Sequence, residues 1–239
     1  MIIFMIKDYV AVDLETTGLD PKKNKIIEIA AICVENGVIT DRFQTLINPH
    51  WKLEERIVEL TGITDEDVMT APSIEEKIGE FLEFAKDQVL LGHSVLFDYS
   101  FLKRAAVNCR YSYEASAVDT LKIARKYLAE LPSRNLHALC EYYGIAHQAH
   151  RAMADAVATH ELYCRLQEFY KEETAADFEA QVLHYQVKRE GPATKAQKER
   201  LVRLLEQHKI HPEYRVEKLT KNEASRMIDR IILEYGRPN

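Results

Sequence analysis

The chain has 239 residues, 46% of them hydrophobic and 29% charged, which gives room for one sizeable domain plus a small one with an ordinary globular balance. No apolar run reaches the roughly 18 residues a membrane span needs, and Met1 to Ile6 is too short, and lacks the basic leader and cleavage site, to be a signal peptide. The net charge of −6 argues against a generic nucleic-acid coat, yet it is unevenly split: residues 188–239 carry 13 Lys and Arg against 8 Asp and Glu, leaving 19 against 30 in the rest.

Residues 1–6 read as the start of a first strand. Tyr9 to Leu14 is rich in β-branched and aromatic residues, with apolar side chains on both faces, as in a strand covered on both sides. Asp13 and Glu15 then project to the same side at its end. After the Gly18-Leu19-Asp20-Pro21 turn, Ile26 to Val34 is apolar except for Glu28. Asn36-Gly37 marks a hairpin and Val38 to Ile47 returns as a third strand, which makes an antiparallel meander.

From Ser73 the period becomes helical. Ser73-x-x-Glu76 has capping-box spacing before Ile74, Ile78, Phe81 and Leu82. Val89 to Gly92 is a short buried strand. Helices are expected over residues 95–108, 120–127, 135–143 and 151–172, so that strands and helices alternate as in an α/β sheet with helices packed on it. Residues 173–189 read as a linker or helical connection between an N-terminal domain, 1–172, and a small basic helical module, 190–239. The module shows two further capping-box spacings, Thr194-x-x-Gln197 and Thr220-x-x-Glu223. Cys33, Cys109, Cys140 and Cys164 form no C-x-x-C pair and read as free thiols of a cytoplasmic protein.

Two more acids are aligned with apolar helix faces. Phe101, Leu102, Ala105 and Cys109 lie within about 60° of Asp98. That leaves either a first-turn Asp favoured by the helix dipole or a core-facing charge that needs a cation. Ala158, Leu162, Leu166 and Phe169 lie within about 60° of Asp155. His150 precedes Asp155 by five residues, so it reaches the same site only from the loop or first turn ahead of the helix, where it can move as a general base must. His147 and His160 carry no comparable signal. Four inward carboxylates and no obvious buried Lys or Arg partner point to hard divalent cations, Mg²⁺ or Mn²⁺, two of which could sit about 4 Å apart and drive phosphodiester hydrolysis.

Asp13-Leu14-Glu15-Thr16-Thr17-Gly18, His93-Ser94-Val95-Leu96-Phe97-Asp98 and His150-Arg151-Ala152-Met153-Ala154-Asp155 resemble, in order and separation, the three motifs of the DEDDh 3′–5′ exonuclease family. That family includes proofreading epsilon subunits and PolC exonuclease inserts. Ile57 to Thr64 and Val118 to Leu121 also look familiar, and the resemblance covers about residues 7–170. It implies a ribonuclease H-like mixed sheet, an antiparallel three-strand meander plus parallel strands, with a small α-helical C-terminal module following. It implies Asp13, Glu15, Asp98 and Asp155 as metal acids and His150 as base. Thr16, Thr17, Gly18, Leu19, His93 and Phe97 would be substrate contacts. Ser94 departs from the family, which often has Asn there. The implied substrate is a single-stranded or frayed 3′ end, DNA ahead of RNA. The alternatives are an exoribonuclease with the same site, or a non-catalytic partner module of a polymerase or repair protein. The basic residues 190–239 fit either phosphate-backbone binding or a protein-interaction face.

Overall fold

The computed structural model of the protein describes residues 6–147, 151–170, 175–212 and 214–236. The expectation for residues 1–5 therefore falls outside the described residues. Strand β1 (Tyr9–Thr16) is buried along nearly its whole length because both faces are covered. Val10, Val12 and Leu14 enter one apolar cluster with Ile78, Phe81 and Tyr99. Tyr9 and Ala11 enter a second with Leu162, Tyr163 and Leu166. β2 (Ile26–Glu35) follows, almost as buried. Asn36 and Gly37, at φ of 53° and 79°, make the positive-φ hairpin to β3 (Val38–Leu46). β3 is largely exposed, and Asp41 and Arg42 lie along it, which discourages pairing with another sheet edge.

Two short helices come next, α1 (Glu55–Thr61) and α2 (Asp65–Met69), the second opened by a Thr64–Asp67 capping box. The Ile57–Thr64 stretch holds most of α1 and ends on the cap of α2, and both helices are too brief to show a helical period. α3 (Ile74–Phe84) opens on the expected Ser73–Glu76 box. β4 (Leu90–Gly92) leads to α4 (Leu96–Asn108), and β5 (Ser116–Asp119) to α5 (Thr120–Tyr127), whose first turn is capped by the Asp119 side chain. α6 (Leu136–Tyr143) runs from an Asn135 cap to Gly144 at φ 66°. α7 (Ala152–Tyr170) lies across β1 and β2. The remaining two residues expected in that helix, 171 and 172, are outside the described ones.

Within 173–189, a 3-10 turn at Ala175–Phe178 and β6 (Gln181–Val182) belong to the sheet-bearing unit. Phe178 is fully buried beside Tyr163, and β6 pairs with β5, so apolar anchoring sets this segment against the sheet. Two residues of strand leave no alternation to detect in sequence. The sheet order is β3-β2-β1-β4-β5-β6. The β1–β2, β2–β3 and β5–β6 pairs are antiparallel, and β1–β4 and β4–β5 are parallel. This is a mixed, ribonuclease H-like sheet with helices on both faces.

The chain divides into two compact units, Met1–Val187 and Lys188–Asn239. The second is built on α8 (Lys195–Gln207) and α9 (Lys221–Tyr235), each opened by its expected capping box. Leu201, Leu204 and Leu205 are buried from α8, and Ala224, Met227, Ile228 and Ile231 from α9. The helix starts are tied together: Ala193 N–H donates to Leu219 O at 2.8 Å, and Gln197 Nε2 to Lys221 O at 3.0 Å. All four cysteines are free, with Cys140 buried and the others half-buried. No helix among the described residues is long and apolar enough to cross a membrane.

Candidate active site

Register pairing of β1 with β4 stops at Ala11, because β4 ends at Gly92. The last part of β1 therefore keeps its antiparallel partner β2 on one edge and has no strand partner on the other. Asp13 and Glu15 stand on this segment, on the face that α7 covers. A ladder irregularity between Glu15 and Thr16 then turns the chain out of the sheet.

Asp155 arrives from the first turn of α7, where its N–H donates to Arg151 O at 3.0 Å. One carboxylate oxygen from each of Asp13, Glu15 and Asp155 lies within 4.8 Å of the others. Asp98, only 4% exposed, comes from the first turn of α4 on the opposite face of the sheet and is not one of that triplet. Its carboxylate accepts from its own N–H and from that of Leu14 on the open edge of β1. Of the two readings the sequence left for Asp98, the core-facing one describes its position.

The acids repel each other and lose hydration. Burial, then the charges of Asp98, Asp155, Glu15 and Glu28, push the Asp13 carboxyl well above the usual carboxylate range. Glu15 is pushed up to about 8, by burial first and then by Asp155 and Glu28, with Arg151 opposing. Asp98 is also well above its ordinary value, mainly through burial. The buried Lys103 is engaged elsewhere, by Glu114, and does not answer this charge. An all-oxygen donor set at this spacing suits a hard divalent cation, Mg²⁺ or Mn²⁺.

The Thr-Thr-Gly turn is held by its own side chains. Thr16 Oγ1 donates to Gly18 O at 2.8 Å, and Thr17 Oγ1 accepts from Lys25 N–H at 2.9 Å. A Cβ on Gly18 would come within 2.7 Å of Asn24 Oδ1, so the turn requires glycine. Leu19 at its tip is 84% exposed. Phe97 is half-buried, its ring 5.1 Å from that of Phe101.

His93 is committed on both nitrogens. Nε2 faces Arg134 O at 2.9 Å and so carries the proton, while Nδ1 meets Thr120 Oγ1 at 2.9 Å. Burial lowers its pKa, partly offset by that carbonyl. Ser94 sits at φ 74° with its N–H on Asp119 Oδ1 at 3.0 Å. This left-handed conformation is one that residues other than Gly, Asn and Asp seldom adopt.

His150 lies outside the described residues. Two residues that the sequence reading passed over stand beside the acids. His147, its side chain 3% exposed, hydrogen-bonds Asp155 Oδ1 through Nε2. Nothing in sequence signals it, since it reaches the helix from a loop. Glu28, 1% exposed, is the register partner of Glu15 on β2. Its signal was present as the one charge inside an apolar strand.

The sequence model described as Exonuclease (RNase_T) matches residues 10–163, nearly the whole of β1 through most of α7. The chain belongs to the exonuclease family. Asp13, Glu15, Asp98 and Asp155 of this exonuclease all fall inside the match, and Lys188–Asn239 lies beyond it. The DNA polymerase III subunit epsilon of Aquifex aeolicus is 38% identical over 162 residues, covering 67% of this chain and 80% of the relative. A PolC-type DNA polymerase III from Caldanaerobacter subterraneus subsp. tengcongensis is 39% identical over 167 residues, covering 69% of this chain. The exonuclease spans only 12% of that polymerase. Among solved structures, a zinc-bound complex of E. coli ExoI with single-stranded DNA shares the fold, with a TM-score of 0.61 and 22% identity over 72% of this chain and 42% of that one.

Proposed function

We propose that this exonuclease is a divalent-metal-dependent enzyme that removes 5′-mononucleotides from the 3′ ends of single-stranded or frayed DNA. The observation that carries the reading is the triplet of carboxylate oxygens from Asp13, Glu15 and Asp155 within 4.8 Å of one another, beside an open strand edge. The relatives named as DNA polymerase III components, and a fold shared with a DNA-bound exonuclease, support DNA ahead of RNA.

Asp13, Glu15 and Asp155 would hold one ion directly, and Asp98 would assist a second or orient a water. When bound, such ions supply Lewis acidity, acidifying the attacking water and neutralising charge on the leaving oxygen. His150, just ahead of α7 in the sequence, would accept the proton of that water at an imidazole nitrogen. A water-derived oxygen bonds to phosphorus as the bond from phosphorus to the 3′ oxygen breaks, releasing a 5′-monophosphate and leaving a 3′ oxygen that takes a proton from solvent to become the new 3′-hydroxyl. The backbone and hydroxyls of Thr16, Thr17 and Gly18 seat the terminal nucleotide, with Leu19 against its last bases and Phe97 beside its base. His93, fixed at both nitrogens, serves by holding Ser94 and Val95, the connection into α4, in place. The basic unit Lys188–Asn239 binds nucleic acid, or a polymerase or repair partner.

Replacing Asp13 or Asp155 with Asn is expected to lower Mg²⁺-dependent trimming of a 3′-labelled oligonucleotide by about 10²–10³-fold. Undiminished trimming would sink the reading. Matched DNA and RNA oligonucleotides decide the sugar, since the 2′-OH is what separates them.

A further inference from the structure

Glu28 has no place in the proposed chemistry, yet it is the most deeply buried carboxylate beside the site. β2 is otherwise apolar from Ile26 to Val34, and the Glu28 side chain faces the layer covered by α7. A lone carboxylate there costs on the order of several kcal/mol unless donors meet it. Two donors do. Gln44 Nε2, from β3, donates to Oε1 at 2.7 Å, and the Ala152 N–H donates to Oε2 at 3.4 Å. Ala152 is the first residue of α7, so its N–H is one of the helix donors that no helical carbonyl satisfies. A strand carboxylate thus caps the helix, with the favourable sign for the dipole. Asp155 follows three residues later in the same turn.

Sheet stability does not explain the residue. Glu28 stands directly across from Glu15, and like charges facing each other on adjacent strands are destabilising. Its removal would relieve that repulsion, but it would leave the start of α7 without its anchor.

We propose that Glu28 is a positioning residue for the metal site, tying the first turn of α7, and with it Asp155, to the strand pair that carries Asp13 and Glu15. This inference rests on the reading of those three acids as cation ligands. Groups that orient ligands in this way commonly govern metal affinity by 10–100-fold.

The test uses the full-length chain with Glu28→Ala and Glu28→Gln. Mn²⁺ binding is measured by titration calorimetry without substrate, and the metal-free unfolding midpoint by Trp51 fluorescence. Glu28→Ala should weaken Mn²⁺ binding about 10–100-fold with the midpoint unchanged or raised. Glu28→Gln, whose amide oxygen still accepts from Ala152, should stay within about 3-fold of the parent. With a DNA oligonucleotide, kcat should fall in Glu28→Ala while KM holds. Unaltered Mn²⁺ affinity in Glu28→Ala overturns the proposal. So does a loss equally deep in Glu28→Gln, or one that merely tracks a lowered midpoint. A parent chain that binds Mn²⁺ but trims no oligonucleotide would sink the exonuclease reading and leave this one standing.

Discussion

The two units of the chain treat charge in opposite ways. Among the described residues, every buried polar or charged side chain lies in Met1–Val187, including Glu15, Glu28, Asp98 and Asp155. The buried residues described in Lys188–Asn239 are all hydrophobic, and its described Lys and Arg stay at or near the surface. The helical unit obeys folding rules throughout: apolar stripes inward, capping boxes at both helix starts. The sheet unit departs from those rules most densely at the candidate site, where Glu15, Glu28, Asp98 and Asp155 are buried together. Departures from good folding practice gather at functional sites, where a ligand can answer charge that the fold leaves only partly met.

That contrast is sharpened first by pH. Glu15 has a folded pKa raised to about 8, from an ordinary value of 4.5. A raised carboxylate favours the fold below its unfolded pKa, and this support is lost as pH rises through the folded value. In the metal-free protein the unfolding midpoint reported by Trp51, the sole tryptophan and a residue of the sheet unit, should therefore fall between about pH 5 and pH 9. For Glu15 alone the effect is at most on the order of 5 kcal/mol. Saturating Mg²⁺ should flatten or reverse the trend. Hydrogen exchange in α8 and α9, corrected for intrinsic rates, should show no such dependence. A metal-free midpoint that rises with pH would break the comparison.

The second test attacks the helical unit. Leu204→Ala should destabilise it by about 2–5 kcal/mol, read as faster exchange confined to Lys188–Asn239. The Trp51 transition should barely move.

How much of this was legible follows the same division. Local chemistry was plain: the Asn36-Gly37 hairpin, the boxes at Ser73, Thr194 and Thr220, and the alternation that puts Asp13 and Glu15 on one side of a strand. Pairings between distant segments were not. Glu28 interrupted an apolar run, but its partner Ala152 is 124 residues away and depends on how α7 crosses β2. His147 reaches Asp155 from a loop that no period describes. The helices Glu55–Thr61 and Asp65–Met69, of 7 and 5 residues, are held by caps and by Ile57 and Val68 more than by any repeating face. Asp98 was ambiguous because one spacing serves both a dipole-favoured surface acid and a buried one.

The smallest effect probes that local chemistry directly. Thr220→Ala removes the side chain that accepts from Glu223 N–H, and should cost the helical unit about 1 kcal/mol, measured by denaturant titration with exchange as the readout. A loss much larger than this would mean that the cap also organises the Pro192–Thr220 bridge.

The connection from β4 to α4 has a consequence for what lengths of chain the protein can accept. Between Gly92 and Leu96 there are three residues, and each is engaged. His93 is fastened at both nitrogens, Ser94 is held at φ 74° by Asp119, and Val95 packs so close that a Cβ on Gly92 would lie 2.8 Å from its own. An added residue would rotate α4 by about 100° and carry Asp98 away from the Leu14 N–H. The Asn36-Gly37 tip is exposed, and although its N–H groups donate to Asp8 Oδ1 at 2.6 Å and Lys7 O at 3.0 Å, no candidate site residue depends on its length. Drift in loop length among descendants of this chain should therefore gather at the hairpin and spare the three residues ahead of α4.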